Sequence, residues 1–190
     1  MTDSDPAETP PPPQLATMLP ALLGAYVCMV GLGWLWLSLR DRTGVVASEA
    51  VGSHGPVLAA GVGLAAALGL FALGCLLTRY VPTLAELDTR LAAMLGPLSD
   101  NQIVVAALAS GIGEEFFFRC AMQDHLGVWL TAMCFGLAHS GGGRSLRWWG
   151  PWTAAFGLAM GWLVEAGFGV LSAAVAHSLF NYFSLRRLVR

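Results

Sequence analysis

From Pro20 to Leu39, and again from Gly55 to Thr78, the chain runs without a single charged side chain. The hydrocarbon core of a bilayer is about 30 Å thick and takes roughly 20 helical residues to cross. Both runs are long enough. Backbone amides inside lipid find partners only within a helix or a closed barrel, and barrel strands alternate apolar with polar residues. These runs are apolar throughout, so they predict helices. The whole chain agrees: 56% of its 190 residues are apolar, 12% are charged, and the mean hydropathy is +0.64. The expectation is an all-α polytopic transmembrane helical bundle, with about six spans plus one amphipathic surface helix.

Residues 1–19 are acidic and proline-rich and predict a disordered tail, without the positive start of a signal peptide. Residues 20–100 hold the two runs above and a different segment, Tyr80 to Asp100. There Leu84, Leu87, Leu91, Met94 and Leu95 share one helical face, while Glu86, Asp88 and Arg90 lie elsewhere. That is the pattern of a short interfacial helix, ended by Gly96 and Pro97. Residues 101–185 supply the remaining spans: Asn101 to Gln123, Leu126 to His139, Trp148 to Val164 and Ala166 to Leu185, with Ser140, Gly141, Gly142 and Gly143 breaking the chain midway. Residues 186–190 form a basic tail. Small residues recur every fourth position at Ala59, Gly63 and Ala67, and at Gly157 and Gly161; that spacing lets helices approach closely.

All ten basic residues are Arg, and none forms a block that would track nucleic acid. The expected partners are the lipid bilayer and a membrane protein or peptide. Six spans place both termini on one side. On that count Arg79, Arg90, Arg144, Arg147, Arg186, Arg187 and Arg190 gather on one side, and only Arg40 and Arg42 on the other. The positive-inside rule then puts both termini in the cytoplasm, as in a multi-pass protein of a bacterial-type plasma membrane. Cys28, Cys75, Cys120 and Cys134 lie in or beside apolar runs without paired spacing; they are expected to be small buried hydrophobes.

The polar groups at depth are the exception to this pattern. A charged side chain at the centre of a membrane helix costs roughly 2.5–3.5 kcal/mol on insertion scales. Glu115 and Arg119 stand four apart and share a helical face, whereas Glu114 is turned away by roughly 100°. Phe135 and His139 share a face on the next span, and His177 and Asn181 on the last. His54 and His125 lie near span ends, partnerless at helical spacing, and are expected to be solvated or interfacial. If the three spans pack together, they unite a general base, imidazoles and an amide donor, the groups needed to add water to a carbonyl. Ser140, Ser178 and Cys120 adjoin His139, His177 and Arg119 in sequence. Helix neighbours do not face one another, which disfavours a covalent nucleophile.

Three patterns, EExxxR at 114–119, FxxxH at 135–139 and HxxxN at 177–181, occur intact, in order and on separate spans. In this the chain resembles the CPBP, or ABI/CAAX, family of intramembrane endopeptidases, over about Asn101 to Leu185. Cys120 departs from the glycine that follows the arginine in many members. The resemblance implies cleavage of a peptide bond at the membrane, in CAAX-type or bacteriocin-type processing. By analogy Glu114 would activate water with help from His139. His177 and Asn181 would stabilise the oxyanion, and Glu115, Arg119 and Phe135 would support the site. No cofactor is expected. A zinc ion is the alternative, with Glu114, His139 and His177 as ligands and one position left for water, although no HExxH is present. Two other functions would use the same residues: a catalytically inactive immunity or scaffold protein of the same fold, or a transporter with Glu114 as proton relay. The transporter reading lacks an internal repeat to support it.

Overall fold

The structure, a computed structural model, describes residues 15–141 and 146–189, and every regular element among them is helical. The proline-rich stretch up to residue 14, together with Gly142, Gly143, Arg144, Ser145 and Arg190, lies outside the described residues. The order is α1 (Leu15–Leu39), a 3-10 turn (Thr43–Val45), α2 (Val46–Val51), α3 (Pro56–Tyr80), α4 (Pro82–Leu95) and α5 (Asp100–Glu115). α5 continues as a π-helical segment (Phe116–Gln123) into α6 (Asp124–Ala138). After α7 (Trp149–Leu163), a π-helical turn (Val164–Phe168) leads into α8 (Gly169–Leu188). The expected all-α bundle is the observed one.

Three helical stretches are long and apolar enough to cross a membrane: Leu15–Leu39, Pro56–Tyr80 and the 40-residue Trp149–Leu188. The last is two helices. Gly167 and Gly169 take φ of 84° and 71°, a left-handed backbone open to glycine and strained for other residues. A similar break falls at Gly127, with φ 73° and ψ 166°, inside the run expected to begin at Leu126. At its other end α5 starts cleanly because Ser99 and Gln102 form a reciprocal capping box.

Two expectations are corrected and one is extended. α1 begins at Leu15, so residues 15–19 belong to a helix rather than to the tail. Pro20 is tolerated there because the hydrogen bond it forfeits lies near the helix start. The apolar face of α4 does not serve only the membrane surface: Leu84, Leu87 and Leu91 line an internal cavity, and Leu87 is buried. Cys28 is exposed rather than buried, because only one side of α1 is packed; Cys75 and Cys134 are half-buried, Cys120 is buried, and all four are free thiols.

Polarity is distributed inside out relative to a water-soluble protein. Glu115 and Arg119 are 0% and 1% exposed, while Leu39 and Val57 are 78% and 87% exposed. An outer surface of that kind needs lipid to cover it. Together with the apolar spans it makes this an integral membrane protein.

α8 is the central helix. It packs against α3 and α5, while α6 packs against α7 and α1 lies on α5 and the π-helical segment. The Ala59–Gly63–Ala67 stripe is the contact surface of α3 and is fully buried. A Cβ on Gly63 would sit 2.5 Å from the Ser172 carbonyl oxygen of α8. Gly63→Ala is therefore expected to destabilise the bundle by about 1–3 kcal/mol, the usual effect of overpacking. Gly69→Ala, which meets no atom within 4 Å, should change stability by less than about 0.5 kcal/mol. Thermal unfolding of both variants in detergent measures the difference.

Candidate active site

The two adjacent glutamates part company in space. Glu115 turns into the protein, where Arg119 Nε donates to its Oε2 at 3.0 Å and His177 Nδ1 meets its Oε1 at 2.7 Å. Beside a permanently charged guanidinium the carboxylate is an acceptor, so the hydrogen of the His177 contact lies on Nδ1. The ring's Nε2 is then the nitrogen left for other partners. Arg119 is enclosed on its remaining sides: Nη1 donates to Gln123 Oε1 at 3.3 Å, and the guanidinium lies over the Phe135 ring, 5.6 Å from its centroid. Gly157 and Gly161 of α7 make room for it. A Cβ on Gly157 would come within 3.1 Å of Arg119 Nη2, and one on Gly161 within 2.8 Å of Gln123 Oε1. The small-residue spacing seen in the sequence thus serves a buried cation as well as helix packing.

Glu114 faces the other way, into a cavity of about 850 Å³ that Tyr26, Ser110, His139, His177 and Asn181 also line. It is 6% exposed, and its Oε2 has no hydrogen-bond partner among the described residues. His139 Nε2 stands 3.8 Å from that oxygen. His139 Nδ1 lies 2.8 Å from the Phe135 carbonyl. A carbonyl only accepts, so Nδ1 carries a hydrogen and Nε2 is the nitrogen turned toward Glu114. The ring is clamped between Phe135 and Trp149, at centroid distances of 4.6 and 5.6 Å.

On α8, Asn181 Nδ2 donates to Ser110 Oγ at 2.9 Å, and Ser110 Oγ donates to the Ala107 carbonyl at 3.2 Å. His177 stands edge-on to Phe156 at 5.0 Å. The seven residues singled out in the sequence, Glu114, Glu115, Arg119, Phe135, His139, His177 and Asn181, therefore lie in one continuous cluster. His54 and His125 do not join it: His54 Nε2 meets the Ala166 carbonyl at 3.3 Å, and His125 lies edge-on to Trp36 at 5.9 Å. Cys120 packs with Leu37, Ala121 and Val170. Among the described residues no three His, Cys, Asp or Glu side chains are arranged to hold a metal ion. Glu114, His139 and His177 are not gathered into such a group.

The sequence reading missed several members. Ser110 is four residues before Glu114, and Gln123 four after Arg119, so helical spacing could have found both. Tyr26 of α1 carries no such signal. Its hydroxyl lies beside both the Glu114 carboxylate and Ser110, and a Cβ on Gly113 would touch the tyrosine at 3.2 Å.

Residues 101–183 match the family described as type II CAAX prenyl endopeptidase Rce1-like. No curated protein and no solved structure matches the chain.

The buried ion pair makes different demands from the cavity carboxylate. Arg119→Met should cost about 3–5 kcal/mol, since it leaves Glu115 charged and buried without its partner. Glu114→Gln should stay within about 1 kcal/mol, because the Glu114 Oε2 it alters makes no hydrogen bond. Thermal unfolding and detergent size-exclusion profiles of the two variants test the contrast.

Proposed function

We propose, from the membership of residues 101–183 in the CAAX/CPBP family of intramembrane proteases, that this chain cleaves a peptide bond of a membrane-associated substrate with a water activated by Glu114. The observation that carries the proposal is the pairing of a buried carboxylate oxygen, without a hydrogen bond among the described residues, with an imidazole nitrogen 3.8 Å away. That separation is too long for a direct hydrogen bond. A water about 2.8 Å from each atom fits the geometry, subtending roughly 85°.

In this reading the water gives one proton to Glu114 as its oxygen attacks the substrate carbonyl. His139 Nε2 accepts the second hydrogen and so orients the attacking lone pair. Negative charge then develops on the carbonyl oxygen and requires donors. Asn181 has two amide hydrogens, of which Ser110 takes one, leaving the other for the oxyanion. His177 donates through Nε2 as the imidazolium. Its positive charge faces Glu115 at 2.7 Å. With both glutamates and Arg119 charged, the cluster of two acids, one guanidinium and one imidazolium sums to zero. When the C–N bond breaks, the proton held by Glu114 passes to the leaving nitrogen. Each step uses a side chain that lines the Glu114 cavity, and the proposed mechanism is of the glutamic type, with no step through a metal.

The cavity runs from Glu114 between α1, α4 and the last turns of α8. This end of the bundle carries Arg79, Arg90, Arg186 and Arg187. The positive-inside rule makes it the cytoplasmic end, from which substrate would approach.

Two outcomes are expected. Purified protein in liposomes should cleave members of a membrane-peptide library. Glu114→Ala and His139→Ala should each lower kcat by about 10²–10⁴, the range for loss of a positioned acid or base, while a strong chelator leaves the rate unchanged. Loss of activity in chelator with recovery on added Zn²⁺ would overturn the glutamic mechanism, and a phenotype indifferent to Glu114→Ala would point to the non-catalytic scaffold. For orientation, a cysteine at exposed Glu86 in a cysteine-free background should react with an impermeant maleimide only in inside-out vesicles.

A further inference from the structure

Beyond the three sequence signatures, the buried network continues in a direction that they do not describe. Gln123, 4% exposed, closes the π-helical segment. Its Oε1 accepts from Arg119 Nη1 at 3.3 Å. Its Nε2 donates both to the Gly161 carbonyl, at 3.0 Å, and to Glu165 Oε1, also at 3.0 Å. A guanidinium only donates and a carbonyl only accepts, so these two neighbours fix which end of the amide is oxygen. Glu165 lies in the exposed turn between α7 and α8. Four successive contacts therefore join Glu165, Gln123, Arg119, Glu115 and His177, at 3.0, 3.3, 3.0 and 2.7 Å. One end of this line is at the outer turn and the other is at the cavity.

Charge balance does not require the outer half. Glu115 already neutralises Arg119. What the outer half supplies is direction. A guanidinium held only at Nε can swing about that bond, and any swing is transmitted to Glu115 and from there to the imidazole. The amide at Nη1 restrains the swing, and Glu165 restrains the amide. The restraint occupies space that α7 leaves open for it at Gly161.

We propose that Gln123 and Glu165 are positioning residues for His177: they anchor the far side of the Arg119 guanidinium, so that Arg119 fixes Glu115 and Glu115 fixes the His177 ring. The inference rests on the catalytic reading given above.

The test is an exchange of the two side chains. Gln123→Glu places two carboxylates face to face and should lower kcat by about 10-fold or more, on the scale of losing an outer-shell partner of a metal-ligating histidine, with KM changed less than about twofold. The double variant Gln123→Glu with Glu165→Gln restores one acid and one amide in opposite order. It should regain at least about tenfold of the loss, although the Gly161 carbonyl loses its donor. A merely structural contact would show neither the kcat-only effect nor the recovery. In parallel, the ¹⁵N-histidine spectrum, assigned with His177→Gln, should show the His177 signals displaced by Gln123→Glu and returned by the exchange. If Gln123→Glu does not fold, Gln123→Met removes the same bonds without adding charge and should lose the same kcat. Wild-type kcat with unmoved His177 signals in the single variant would overturn the proposal. So would a folded double variant that recovers nothing. If wild type cleaves no peptide, the catalytic reading fails and the His177 signals alone decide: displacement and return uphold the positioning line, and an unmoved spectrum rejects it.

Discussion

A single buried carboxylate organises this protein. Glu115 uses one oxygen for Arg119 and the other for His177, and so links α5, the π-helical segment and α8. An unpaired charge in such a place costs several kcal/mol, so all three elements are held to one geometry. The guanidinium in turn needs space and a soft surface. Gly157 and Gly161 of α7 give the space, and the Phe135 ring of α6 gives the surface. Four of the long helices are thus positioned by the requirements of one ion pair. The apolar core around it, with Phe118, Phe156 and Met160, fills the volume that the ion pair defines.

The π-helical stretch from Phe116 to Gln123 is part of the same arrangement. Such segments are rare and often mark functional sites. Here the wider turn carries Arg119 and Gln123, and it begins immediately after the residue they serve. The neighbouring glutamate is left in regular α-helix and faces the cavity. The division between a structural acid and an accessible one is therefore a property of helical phase at one junction, with two identical side chains assigned different surroundings.

Much of this was legible in the sequence. The Glu115–Arg119 pair, the separate direction of Glu114 and the shared faces of Phe135 with His139 and His177 with Asn181 all follow from fourfold spacing. The small-residue stripes marked real helix contacts. Ser110 and Gln123 obeyed the same spacing rule and were missed because a single uncharged polar residue inside or at the end of a membrane helix is usually unremarkable. Glu165 and Tyr26 were beyond reach for another reason: each meets the site from a distant segment, and one-dimensional periodicity carries no information about that. The break at Gly127 came slightly later than expected, and α1 began earlier, because a proline near a helix start does not prevent a helix from starting before it. The role of α4 was hidden because an apolar face reads alike whether it meets lipid or an internal cavity.

The walls of that cavity have different origins. The groups around Glu114 on α5, α6 and α8 lie inside the stretch 101–183 that matches the endopeptidase family, whereas Tyr26, Leu22, Leu84 and Leu87 lie on α1 and α4 outside it. The polar groups around Glu114 and part of the cavity's apolar wall are therefore carried on separate parts of the chain, while Phe118, Trp149 and Phe156 of the matched stretch complete that wall. On the proposed reading, substitutions confined to the cavity-facing side chains of α1 and α4 would remodel what is admitted without touching the residues that pair Glu115 with Arg119 and His177.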